Sequence, residues 1–226
     1  MRLRRKPWAR SELAACPFFV DHPPELRDRW AAAFPNRAPI HLELGCGKGG
    51  FLAQQAAAHP DCNFIGIDLK SEVLALAKRK VEAALAAAGR GDRPVDNVLL
   101  LSWDIERLHL IFGEQDRVDR IFVNFCNPWP KPGSKKHRLT HTRQLQNYRR
   151  WMAPGARLWF KTDDEELFRE TLEEYLPAAG FQAEYVTWDL AAQALPENVL
   201  TEHEEMFMAQ GLPIKFLQAA PVPEEN

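Results

Sequence analysis

The segment Leu42-Glu43-Leu44-Gly45-Cys46-Gly47-Lys48-Gly49-Gly50 constrains the fold more than any other. A short apolar run ends in a glycine-rich turn, and the residues from Gly49 to His59 then carry helical spacing until Pro60 stops them. The pattern recurs along the chain. Asn63 to Asp68 reads as a strand, Ser71 caps an Ala- and Leu-rich helix running to about Ala88, and strands follow at 95–101, 118–125 and 157–161. Helices are expected near 105–112, 141–152 and 164–176. Strands at 181–188 and 213–217, with a helix at 201–210 between them, bring the total to seven. Such alternation predicts an α/β protein with a doubly wound, mostly parallel seven-stranded sheet, helices on both faces, and a ligand site at the carboxyl ends of the strands.

Length and composition place few limits on this picture. At 226 residues with 46% hydrophobic content, one domain with a sizeable core is expected, and apolar stretches of four to six residues fall far short of a membrane span. The basic start, Met1-Arg-Leu-Arg-Arg-Lys-Pro-Trp, lacks the apolar segment of a secretory signal, so a cytoplasmic protein is expected. Cys16, Cys46, Cys62 and Cys126 match neither a metal knuckle nor a disulfide frame. No metal site is expected. The net charge of −2 conceals a segregation: 27 Lys and Arg against 16 Asp and Glu up to residue 162, and 2 against 15 from residue 163 onward. Residues 131–150 hold seven cations and no acid, and residues 2–10 hold five cations, a pattern that suits a polyanion partner.

The glycine turn and its neighbours select a cofactor. Gly45, Gly47 and Gly49 bring backbone close to a ligand, and Asp68, eighteen residues after Gly50, sits where a carboxylate accepts from both hydroxyls of a ribose. The glycines alone also fit a dinucleotide site. Glu43, two residues before the first of them, would repel a pyrophosphate but suits the cationic amino group of a methionine-derived ligand, which points to S-adenosylmethionine. Asp104, after the third strand, lies where a carboxylate would accept from the adenine amine, or where it would cap the following helix.

The fourth strand runs directly into Asn124-Phe125-Cys126-Asn127-Pro128-Trp129-Pro130-Lys131, where two prolines fix the backbone and Trp129 offers a stacking plane. This block resembles the aspartate-proline-tryptophan-proline-lysine signature of the bacterial tRNA (guanine-N7)-methyltransferase family. The similarity extends through Lys136, Arg138-Leu139-Thr140, Thr162-Asp163 and Thr201-Glu202-His203-Glu204, covering roughly residues 38–218. The resemblance implies a Rossmann-like S-adenosylmethionine-dependent methyltransferase fold over 39–220, while the residues themselves, without a strand pattern in 1–38 and ending in Pro-Val-Pro-Glu-Glu-Asn, read as a flexible, RNA-contacting extension (1–38) and a disordered tail (221–226). It implies that Glu43, Asp68, Asp104 and Asn127 bind the cofactor and that Lys131, Asp163, Thr201, Glu202 and Glu204 lie on substrate positions. Asn127 and Asp163 are the expected catalytic residues, and Lys135, Lys136, His137 and Arg138 the expected phosphate contacts. The implied partner is tRNA, with no membrane and a monomer or homodimer as the working form.

Two departures qualify the resemblance. Asn127 stands where the family has aspartate, and Pro132-Gly133-Ser134 replaces part of a basic run. The amide removes a negative charge from the place where a methylated base becomes cationic, so slower transfer or a shifted substrate is expected. Rival readings are a paralogue methylating another nucleobase position, such as an exocyclic amine, and a module that binds S-adenosylmethionine and RNA without turnover. Thr201 and Glu204 also match a helix capping box, which needs no substrate.

Overall fold

The computed structural model describes residues 7–193, 195 and 198–223. The chain divides into two compact units, Met1–Asp116 and Arg117–Asn226. In the first unit β1 (Phe19–Val20), β2 (Ile40–Leu44), β3 (Asn63–Asp68) and β4 (Val98–Ser102) are all parallel, in the order β1-β4-β3-β2. The strands are nearly continuous apolar runs because parallel sheets are covered on both faces. Ile65, Ile67, Leu100 and Leu101 are completely buried. Preceded by α1 (Pro7–Ala14), helices α2 (Gly50–Ala58) and α3 (Ser71–Leu85) lay Leu52, Ala56, Leu74, Ala77 and Val81 into the same core as Phe64 and Leu100.

Residues 7–38, expected as a flexible extension without strands, are built into this unit. The backbone of Phe18 accepts from Leu100 N, α1 places Ala9 and Leu13 in the core, and Glu12 pairs bidentately with Arg79 at 2.6 and 2.8 Å. The buried Asp116 carboxylate accepts from the backbone N–H groups of Asp28, Trp30 and Gly113, and Trp30 Nε1 donates to Ile111 O at 2.7 Å. Side-chain anchors of this kind leave no periodic trace in a sequence, which is why the two-residue β1 was not expected. Residues 1–6 lie outside the described residues.

The second unit carries β5 (Val118–Asn124), β6 (Met152–Thr162), β7 (Phe181–Thr187) and β8 (Lys215–Pro221), in the order β5-β6-β8-β7. Only β5 and β6 are parallel here, whereas β8 runs antiparallel to both β6 and β7. β6 begins five residues before the expected position because Pro154 and Gly155 (φ +82°) read as a turn but lie within the extended strand. Its helices are α4 (Thr142–Arg149), α5 (Glu165–Glu170), which passes through a π turn at Thr171–Tyr175 into α6 (Leu176–Ala178), and α7 (Glu202–Ala209). The segment expected as a helix at 105–112 is a 3-10 helix, Ile105–Leu110. Of the expected disordered tail, Pro221 closes β8 and Val222 N donates to Gly180 O, while residues 224–226 lie outside the described residues. The fold is the expected mostly parallel α/β type, with eight strands among the described residues rather than the expected seven. No helix among the described residues is long and apolar enough to cross a membrane.

One glycine sets how closely α2 and α3 approach. Gly49 has φ +71°, and a Cβ there would lie 2.6 Å from the Ala77 Cβ and 2.8 Å from its Cα. Gly47 shares the left-handed backbone (φ +52°) but a Cβ would meet open space. Gly49→Ala should therefore cost about 2 kcal/mol or more in urea unfolding, and Gly47→Ala clearly less. Equal losses would contradict this division between packing and strain.

Candidate active site

In the first unit the candidate residues collect at the carboxyl ends of β2, β3 and β4. The turn after β2 is held by its own backbone: Gly45 N and Cys46 N both donate to Ile67 O, and Gly49 N donates to Cys46 O. Asp68, the last residue of β3, accepts from Gly47 N at 3.1 Å through one carboxylate oxygen and from Lys70 N at 2.9 Å through the other. Two amide donors thus fix the plane of the carboxylate, and each oxygen retains a lone pair for a ligand hydroxyl. Glu43 is 4% exposed, immediately inside the turn. Beyond Gly45 and Gly47, the space that side chains would fill is open. These features fit an adenosyl amino-acid cofactor: a close-approach turn, a rigid acid for a ribose and a buried acid for an ammonium group. At Gly49, also expected to touch the cofactor, the face that a side chain would occupy packs against Ala77 of α3. Asp104 is exposed, and its Oδ1 accepts from Glu106 N at 3.0 Å, the helix-capping alternative. Burial drives the Cys46 thiol well above the ordinary range, so it is no nucleophile.

In the second unit β5 ends in a turn of unusual backbone. Phe125 (φ +52°) and Trp129 (φ +43°) both adopt the left-handed region that non-glycine residues avoid. Asn127 Oδ1 accepts from Trp129 N at 3.1 Å, closing the turn, and leaves Asn127 and Trp129 exposed. The turn is secured from behind. Arg138, 0% exposed, donates through Nε to Pro128 O at 2.6 Å and through Nη1 to Glu170 Oε2 at 2.7 Å and Tyr175 Oη at 3.1 Å. Lys135 joins the same acids, pairing with Glu166 at 2.6 Å and with Glu170.

These contacts correct two expectations. Arg138 is no phosphate contact, because its guanidinium is consumed inside the protein, and Lys135 is largely neutralised by α5. Lys136 and Lys131 are exposed, and His137 leans on Trp129 with ring centroids 5.4 Å apart.

Asp163, at the end of β6, is half-buried, and its backbone carbonyl accepts from Lys215 Nζ at 2.9 Å. Thr201 and Glu204 form the capping box of α7, with Glu204 N donating to Thr201 Oγ1 at 3.0 Å. Glu204 is 1% exposed and accepts from Lys161 Nζ at 2.8 Å and Asn198 Nδ2 at 2.8 Å. With the carboxylate buried, Lys161 and Thr201 N on one oxygen and Asn198 on the other, Glu204 holds α7 in place and presents no exposed oxygen to a substrate. Glu202 stays exposed on the first turn. His203 stacks on Phe125 at 5.7 Å. Lys161, Glu170 and Tyr175 were not singled out from sequence. A lysine directly after the apolar run Leu158-Trp159-Phe160, still inside the strand pattern, was the available signal, since a buried cation demands a partner.

Burial would raise the Glu170 carboxyl, but hydrogen bonds from Lys135 and Tyr175 and the charge of Arg138 outweigh it and lower the pKa from 4.5 to about 2. A depressed carboxyl stabilises the fold above its unfolded value, and that contribution is lost as pH falls from about 4.5 towards 2. Urea midpoints of the wild type and Glu170→Gln should therefore converge between pH 6 and pH 3. Parallel curves would contradict the network.

A family model described as "Putative methyltransferase" matches residues 37–217. The chain is 52% identical over 219 residues to the "tRNA (guanine-N(7)-)-methyltransferase" of Ruminiclostridium cellulolyticum, an alignment covering 97% of this chain and 92% of that protein. It is 48% identical to the protein of the same name from Acetivibrio thermocellus, covering 97% and 99%. Among solved structures it resembles a 16S rRNA (adenine(1408)-N(1))-methyltransferase mutant from Catenulisporales acidiphilia, with TM-score 0.55, 20% identity and coverage of 92% and 95%. A second is the 16S rRNA methyltransferase KamB, with TM-score 0.58, 16% identity and coverage of 82% and 88%, and at these identities both speak for the fold alone. With a family model spanning most of its length and relatives about half identical from end to end, the chain belongs to this methyltransferase family.

Proposed function

We propose that this protein transfers a methyl group from S-adenosylmethionine to N7 of a guanosine in tRNA, in the variable loop by analogy, forming 7-methylguanosine. The observation that carries the reading is the braced Asn127–Lys131 turn at the end of β5, in a chain 52% identical across 97% of its length to a protein named for that reaction. When bound, S-adenosylmethionine supplies an electrophilic sulfonium methyl. Guanine N7 carries an exposed lone pair and attacks without losing a proton, so the chain need provide no strong base. Its task is positioning and charge.

Asp68 holds the ribose hydroxyls and Glu43 the amino group of the cofactor. Asp163 offers a carboxylate to the base as it becomes cationic, which stabilises the transition state more than the ground state. Glu202 accepts from guanine N1–H and the 2-amino group together, a pair of donors that adenine lacks. Lys131 and Lys136 hold phosphates. On this reading the protein works in the cytoplasm. Asn127 closes the turn through its oxygen and contributes no charge.

Two outcomes test this. An unmodified tRNA transcript should accept labelled methyl, and the same transcript made with 7-deazaguanosine, which lacks N7, should accept none. Transfer to the deaza transcript would rule out N7. Asn127→Asp restores a charge beside the developing cation and should raise the rate about tenfold or more. Equal rates would remove the argument for that charge.

A further inference from the structure

Lys161 is 2% exposed near the end of β6, directly after the apolar run Leu158-Trp159-Phe160. Its ammonium has three acceptors: Glu204 Oε2 at 2.8 Å, Val199 O at 3.1 Å and Asn198 Oδ1. Asn198 Nδ2 in turn donates to Glu204 Oε1 at 2.8 Å, so lysine, amide and carboxylate form a closed triangle. The backbone of the same lysine reaches the other substrate segment, since Phe125 N donates to Lys161 O at 2.9 Å. The Phe125 ring then stacks on His203 at 5.7 Å and meets Phe207 at 5.7 Å, both on α7. One residue therefore grips the turn after β5 through its main chain and the start of α7 through its side chain, and the aromatic contacts complete the circuit.

A buried ion pair is a poor source of stability, because desolvation consumes most of its attraction and well-packed apolar residues do as well. Its distinguishing property is direction. Three hydrogen bonds from one ammonium fix where α7 begins, whereas a methionine at this position would fill the same space with no preferred angle. We propose that Lys161 is a positioning residue for base recognition: it fixes the start of α7 against the Phe125–Lys131 turn, so that the Glu202 carboxylate meets both donors of the guanine edge at once. This rests on the N7-methyltransferase reading and deepens it.

The test compares two tRNA transcripts carrying guanosine or inosine at the methylated position. Inosine keeps N7 and N1–H but lacks the 2-amino group. Wild-type protein should prefer guanosine by about tenfold or more in kcat/KM, the worth of one charge-assisted hydrogen bond. The double variant Lys161→Met/Glu204→Gln removes the ion pair while keeping a glutamine able to serve the capping box. It should bind S-adenosylmethionine as the wild type does and melt within a few degrees of it, yet lose most of the guanosine preference, mainly through kcat on guanosine. A merely structural role would slow both substrates alike, and an unchanged preference would overturn the proposal. If that variant does not fold, Asn198→Ala opens the same triangle while leaving the ion pair, and should lower the preference about threefold, with no change again overturning it. Wild-type protein that methylates neither transcript would remove the parent reading and this inference together, whereas active wild type with unaltered variant preference removes the inference alone.

Discussion

The Asp68 carboxylate is the contact on which the glycine turn of the first unit depends. A strand at the carboxyl edge of a parallel sheet ends with amide groups that no neighbouring strand satisfies, and the turn after β2 would lack a defined shape if left to solvent. Asp68 resolves this from the end of β3 by accepting from Gly47 N and Lys70 N, while Ile67 O takes the amides of Gly45 and Cys46. The acid suited to grip a ribose is therefore the same one that shapes the loop beside it. On the proposed reading, loop geometry and ligand affinity are coupled through one side chain.

The second unit solves a similar problem with buried cations. The Phe125–Lys131 turn contains two non-glycine residues at positive φ, Phe125 and Trp129, a conformation that costs energy and persists only where the surroundings enforce it. Arg138 enforces it from behind through Pro128 O, and Lys161 from below through Phe125 N. The segregation of charge along the chain takes a different meaning in this light. Part of the basic run at 131–150 is answered by the acidic segment that follows, Lys135 and Arg138 pairing with Glu166 and Glu170. The remainder, Lys131 and Lys136 among it, is exposed, and the proposed function assigns it to a phosphate backbone.

Periodicity made the strands and most helices legible, because the strands of the first unit are nearly continuous apolar runs, β7 alternates, and most helices have a polar face. The short β1 escaped because a two-residue strand has no period, and the early start of β6 escaped because Pro154 and Gly155 imitate a turn. Among the candidate residues, Asp68 stood out by type and spacing, and the Asn127–Lys131 block by its two prolines and its resemblance to the family signature. Arg138 could not be assigned correctly, since an arginine in a basic cluster looks like a phosphate contact until its partners, 32 and 37 residues away, are known. Glu204 presented the same ambiguity, and its capping-box reading was the one that the local geometry realises.

The chemistry at N7 is the centre of this account, and it is read most directly from the modified nucleosides themselves. Unmodified tRNA incubated with the protein and S-adenosylmethionine, then digested and resolved by mass spectrometry, should contain 7-methylguanosine as its one new nucleoside. A methyl group on an exocyclic amine, on adenosine or on no nucleoside at all would contradict it.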